Sequence, residues 1–122
     1  PLLPYTGTLP NGAAAVKNMT ADPANMVVTS QIGGYYKFDA CFECNTDANA
    51  GSVLMLIYIN GIPFFQTESF VMKSVWSTHS ITYIDRVDRP PGTTYGVRCQ
   101  AVGGDIQVRQ ASFNLVRLTD NN

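Results

Sequence analysis

The chain has 122 residues, of which 45% are hydrophobic and only 14% charged, with a formal net charge of -1. That length suits a single domain that buries roughly two-thirds of its unfolded surface. The near-zero charge, with five arginines and three lysines scattered along the chain, leaves no electrostatic footprint for nucleic acid. No apolar run is long enough for a spanning helix, and no signal-peptide pattern is present. The charged fraction lies well under the ~25% of ordinary soluble domains, so part of the surface is expected to face protein. A chain that opens on Pro1 is expected to be an excised or processed piece.

In chain order, "PLLPYTGTLPNG" carries three prolines and two glycines, which bars a central strand. Residues 1–15 are therefore expected to form an extended leader or stalk linker, and 16–122 the globular domain. "AAAVKNMT" and "MVVTSQ" are short predicted strands, with room for one helical turn in "ADPANM". "GYYKFDACFEC" alternates cleanly: Tyr36, Phe38, Ala40, Phe42 and Cys44 fill one face, and Tyr35, Lys37, Asp39, Cys41 and Glu43 the other. After the loop "NTDANAGS" comes "SVLMLIYINGIPFF", which does not alternate. Val53, Met55, Ile57 and Ile59 are apolar on one side and Leu54, Leu56 and Tyr58 on the other. It runs into Asn60-Gly61, the strongest short hairpin signal, and returns as "IPFFQTESFVMKS" with Pro63 at an edge.

"VWSTHSITYIDRV" is a further strand region, "DRPPGT" a polar turn, and "TYGVRCQAV" another alternating strand. In "IQVRQASFNLVRL" the apolar parity changes from Ile106 and Val108 to Phe113 and Leu115, which predicts a bulge near Gln110-Ala111. Val116 and Leu118 keep the first parity, so this strand too is apolar on both sides. Seven or eight short strands at turn spacing predict an all-β antiparallel sandwich or barrel.

Chemistry is sparse. Cys41 and Cys44 have the spacing of a metal or redox pair, but alternation points them to opposite faces, which disfavours a mutual disulfide and shared ligation. Small structural thiols are expected, with a bridge from Cys99 to one of the pair as the alternative. Zinc is not expected, since only Cys99 and His79 are available to complete a site. His79, the only histidine, lies near Ser77, Ser80 and Asp85, but no nucleophile elbow is present, so no catalytic residue is assigned and no enzyme is expected. "DRVDR" is read as a self-neutralising run, and neither it nor "NTDANAG" offers the six to eight oxygens calcium needs. The glycine pairs at 33–34 and 103–104 are turn or bulge glycines, not phosphate loops. Asn18-Met19-Thr20 matches a glycosylation sequon. No metal or cofactor is expected. Trp76, His79, Tyr83, Asp85, Arg86 and Arg89 form a candidate ligand patch, because aromatic and arginine residues dominate binding hot spots; a core role for Trp76 is the alternative.

"GGYYKFDACFE" resembles the Gly-x-Tyr-x-Phe strand of the tumour necrosis factor-like jelly rolls, which include the globular heads of complement and collagen-like proteins. "LIYINGIPF" is similar to their following strand, and "PPGTTYGVRCQAV" with "SFNLVRL" to their closing pair. "VDRPPGTTY" stands where the complement-type heads carry a Leu-x-x-Gly-Asp-like turn, and the looser variants of the family resemble heads of phage, viral or bacterial fibres and spikes. The resemblance implies a jelly-roll homotrimer with one sheet of each subunit facing the three-fold axis. Leu54, Leu56, Tyr58, Tyr36, Phe113 and Leu115 are then the expected interface. Burial between subunits would save Leu54, Leu56 and Tyr58 about 1.5–3 kcal/mol each; cover by the Pro-rich arm is the alternative. The implied function is attachment to a host-surface protein or glycan, at an extracellular or virion surface without membrane insertion, through loops 45–51, 66–74 and 85–92. The rival readings are a monomeric secreted carbohydrate-binding module and a structural coat or filament decoration.

Overall fold

The computed structural model describes residues 2–3, 19–22, 26–47, 50–102 and 105–118. Nine strands make up two antiparallel sheets, and no helix occurs among the described residues. They are β1 (Leu2–Leu3), β2 (Met19–Asp22), β3 (Val27–Ser30), β4 (Gly34–Thr46), β5 (Ala50–Ile59), β6 (Ile62–Met72), β7 (Ser77–Arg89), β8 (Thr94–Val102) and β9 (Ile106–Leu118). The larger sheet has the order β2-β3-β8-β5-β6, with β1 also pairing on β8 through Leu2 and Leu3. The smaller has the order β7-β4-β9. β2-β3 and β5-β6 are hairpin neighbours within the larger sheet; from β3 to β4, β4 to β5, and β6 onward the chain crosses between sheets at each step.

The local chemistry explains the elements. Asn60 (φ 52°) and Gly61 (φ 79°) both take the left-handed conformation that a two-residue hairpin between twisted strands requires. The Asn60 side chain accepts from Thr94 N at 3.0 Å, tying the turn to β8. Pro63 does lie on an edge strand, β6. The predicted bulge is present: the β4–β9 register shifts between Cys41 and Glu43, and Gln110 has φ 51°. Of the "ADPANM" segment, Ala21 and Asp22 belong to β2 and Met26 (φ 54°) to a turn; Met19 and Thr20 are the described part of the strand predicted before it. The rest of both, most of the 1–15 leader, Asn18 and the 103–104 glycines lie outside the described residues.

The core lies between the sheets. β4 supplies Tyr36, Phe38, Ala40, Phe42 and Cys44, the face its alternation predicts. β5 supplies Val53, Met55, Ile57 and Ile59, and β8 supplies Tyr95, Val97 and Cys99. Phe38 lies at its centre, with ring centroids 6.2 Å from Tyr95 and 6.3 Å from Phe113. β9 shows the parity change and its cause. One extra residue at the bulge flips every later side chain, so Phe113 and Leu115 join Ile106 and Val108 on the inner face. Val116 and Leu118 are turned out and exposed.

Candidate functional site

The six side chains expected between subunits do not make a surface in this fold. Tyr36 and Leu115 are core residues, and Phe113 is half-buried against the core. The Tyr36 hydroxyl donates to the Ile32 carbonyl. Leu56 is only 8% exposed within the single chain, between Gln66 and Arg98 on the neighbouring strands, while Leu54 and Tyr58 are half-buried. The outer side of β5 is thus largely shielded without a sister subunit.

The ligand patch is dispersed for a geometric reason. Trp76 lies just before β7 and Arg89 at its far end, and this 13-residue strand spans roughly 40 Å at the usual rise. Period two turns His79, Tyr83 and Asp85 toward the opposite sheet and Arg86 toward solvent. Tyr83 stacks on Phe65 of β6 with centroids 5.5 Å apart. His79 Nε2 shares a 2.7 Å hydrogen bond with Ser77 Oγ, and burial holds its pKa below the ordinary value. Asp85 lies six residues further along the strand, roughly 20 Å away, so the imagined Ser-His-Asp relay is not assembled.

Asp85 is instead a buried structural hub, 1% exposed. Its carboxylate accepts from Arg89 Nε at 2.8 Å, Arg89 Nη2 at 3.2 Å and the Tyr95 hydroxyl at 2.7 Å, with Val87 N at 3.3 Å. Burial opposes its ionisation, but the hydrogen bonds from Arg89 and Tyr95 outweigh that, and the carboxyl lies below its usual range. Burial, reinforced by the Asp85 carboxylate, pushes the Tyr95 phenol well above its ordinary value. Arg89 is spent on this hub and also lies over the Phe64 ring, 5.1 Å from its centroid. Asp85 and Arg89 neutralise each other as read from "DRVDR".

The thiols stand where alternation places them. Cys44 and Cys99 are buried, and all three cysteines are free. Burial raises the Cys44 thiol to about 11 and pushes Cys99 up as well. Cys41 lies on the outer face, its Sγ 2.9 Å from Ser112 Oγ. No group of three His, Cys, Asp or Glu able to hold a metal stands together among the described residues. The expected contact loop 66–74 is for the most part strand: β6 extends to Met72.

Two surfaces stand out instead, and sequence reasoning missed both. The first is the outer face of β7-β4-β9. Registration sets its side chains in rows across three strands: Ile84-Lys37-Val116, then Thr82-Asp39-Asn114, then Ser80-Cys41-Ser112, then Thr78-Glu43-Arg109. Tyr35 and Leu118 extend the first row upward, so Tyr35, Ile84, Val116 and Leu118 are exposed at this end, with Lys37, 3.7 Å from Asp39, between Ile84 and Val116. The middle rows are small and polar and outline a shallow depression of about 350 Å³. The lower end is closed by an ion pair, Arg109 Nε to Glu43 Oε1 at 2.7 Å, with the Arg109 guanidinium 3.9 Å from the Trp76 ring centroid. One face of the tryptophan is therefore already covered. The second surface is the β6 edge, where Ile62, Phe64, Phe65, Phe70 and Met72 are exposed, Phe70 to 84%.

Comparison with family models and with curated proteins gives no match. Fold and surfaces together define the class: an all-β protein built as a two-sheet antiparallel sandwich.

Proposed function

We propose that this chain is a non-enzymatic jelly-roll head that assembles as a homotrimer at the tip of a fibre or spike and attaches to a protein or glycan of a host surface. The strand order supports the jelly-roll reading, since the chain alternates between β3-β8-β5-β6 and β9-β4-β7 as it does in that architecture. The observation that carries the trimer is the exposed end of the smaller sheet. Tyr35, Ile84, Val116 and Leu118 are exposed on one face around Lys37, on a chain with few charges, and clustered exposed apolar side chains support an interaction site. Turning that face toward a three-fold axis dries it, in place of the β5 face that the chain already shields. Three identical attachment sites on one rigid head then gain avidity when they engage together.

Light scattering after size exclusion tests the reading. The expected mass is three chains or a multiple of three. A mass of one chain contradicts it, and one chain with binding to a glycan array points to the carbohydrate-module reading instead.

A further inference from the structure

We infer that a notch on the outer face of the larger sheet, floored by Gly96 between Val27 and Tyr58, takes the terminal ring of an acidic sugar whose carboxylate pairs with Arg98. The site rests on the glycan half of the attachment reading, to which it gives a place and a chemistry. Strand register builds the notch. Tyr95 and Val97 point into the core, so Gly96 and Arg98 of β8 face outward. Gly96 stands opposite Val27 of β3 on one side and Tyr58 of β5 on the other. Two half-buried side chains therefore rise on either side of a residue that has none. Thr94 and Gly61 close the end beside the hairpin turn, and Arg98, opposite Leu56, stands at the other end.

Gly96 lies inside a strand and has no positive φ, so no turn demands a glycine there. Glycine in a strand interior weakens the strand and often marks a place where a ligand comes close to the backbone. A Cβ at this position would stand on the floor of the notch, 3.2 Å from Val27 Cγ2. A shift of the half-buried valine by a few tenths of an ångström would relieve that contact, so packing alone does not forbid a side chain.

The lining sets the ligand class. The cavity is about 240 Å³. That is below the ~300–1,000 Å³ of sites for drug-sized molecules, which leaves room for one ring at the end of a glycan. The Tyr58 ring is an apolar wall with a polar tip, suited to the C–H face of a pyranose. The Thr94 hydroxyl can donate to or accept from a sugar hydroxyl. Arg98 Nη1 donates to the Val97 carbonyl at 3.1 Å, which holds the guanidinium close to its strand. A planar guanidinium matches a carboxylate in charge and shape, and so favours an acidic sugar over a neutral one. The notch is on the larger sheet, whereas the Tyr35 end belongs to the smaller one, so sugar and three-fold contact do not compete for surface.

Nitrogen–proton correlation spectra of the full chain, titrated with glucuronate, N-acetylneuraminate and glucose, test the site. Saturating shifts with at least one acidic sugar are expected at Val27, Tyr58, Gly61 and residues 94–98, with glucose about tenfold weaker. Arg98→Gln is expected to weaken the acidic sugar about tenfold and leave glucose unchanged, while Gly96→Ala weakens both; the spectra themselves report that each variant is folded. Shifts confined to another surface, or equal affinity for glucose and the acidic sugars, overturn the inference and leave glycan attachment standing. Unchanged affinity in Arg98→Gln overturns the carboxylate pairing. No shift with any of the three sugars overturns the site together with the glycan half of the reading, and the trimer is then judged by light scattering alone.

Discussion

The outer faces of the two sheets look alike in sequence and differ in structure. Leu54, Leu56 and Tyr58 on β5 and Ile84, Val116 and Leu118 on β7 and β9 are equally apolar, yet Leu56 is 8% exposed whereas Ile84, Val116 and Leu118 are all open. A second apolar face is thus no measure of missing partners. What matters is whether neighbouring strands and segments of the same chain close over it. β5 sits inside its sheet between β6 and β8, and its outward residues are flanked on both sides. β7 and β9 are edges of a three-stranded sheet, where each outward side chain has a neighbour on one side alone.

Substitutions sharpen that contrast, beginning with the layer between the faces. Asp85→Ala leaves the Arg89 guanidinium and the Tyr95 hydroxyl without their shared acceptor. Removing one partner of a buried pair costs about 3–5 kcal/mol, so urea unfolding is expected to show a loss near the lower figure, Arg89 being partly solvated. Leu56→Ala is next: although it is on an outer face, it is expected to cost about 2–3 kcal/mol, as a buried leucine does. Val116→Ala, of the same apolar character on the other sheet, is expected to change unfolding of the dissociated single chain by no more than about 0.5 kcal/mol. Similar costs for these last two would break the contrast.

Acid sharpens it further. The folded Asp85 carboxyl titrates below its unfolded value of about 3.9, so its contribution is fully present above that pH and is lost as pH falls through the folded pKa. Asp85→Asn is expected to flatten the stability profile below about pH 4, seen by thermal melts across pH. The smallest effect is kinetic. Cys41, half-exposed on the face of β4, is expected to react with a thiol reagent well before Cys44 and Cys99, whose buried thiols are held protonated.

Much of the fold is legible in the residues. The alternation of β4 marks its inner face, Asn60-Gly61 marks the hairpin, and the parity break marks the bulge at Gln110. Legibility ended where parity had to be assigned an absolute direction. The bulge could be located in sequence, but that it carries both Ile106 and Val108 and Phe113 and Leu115 to the inner face depends on the register with β4, a non-local fact. The ligand patch misled for a related reason. Residues clustered in sequence along an extended strand are spread over roughly 40 Å and two faces, so proximity in the chain is not proximity in space. The exposed β6 edge was legible only as an edge, through Pro63; that Phe70 faces solvent follows from its pairing with Ser52 on the outer side of the sheet.

The claim on which the rest depends is that the open end of β7-β4-β9 is dried by copies of the same chain. Light scattering on a dilution series of the intact protein measures this most directly. The smallest assembled species is predicted at the mass of three chains. A single chain at every concentration, with Tyr35, Ile84, Val116 and Leu118 left in water, would contradict it.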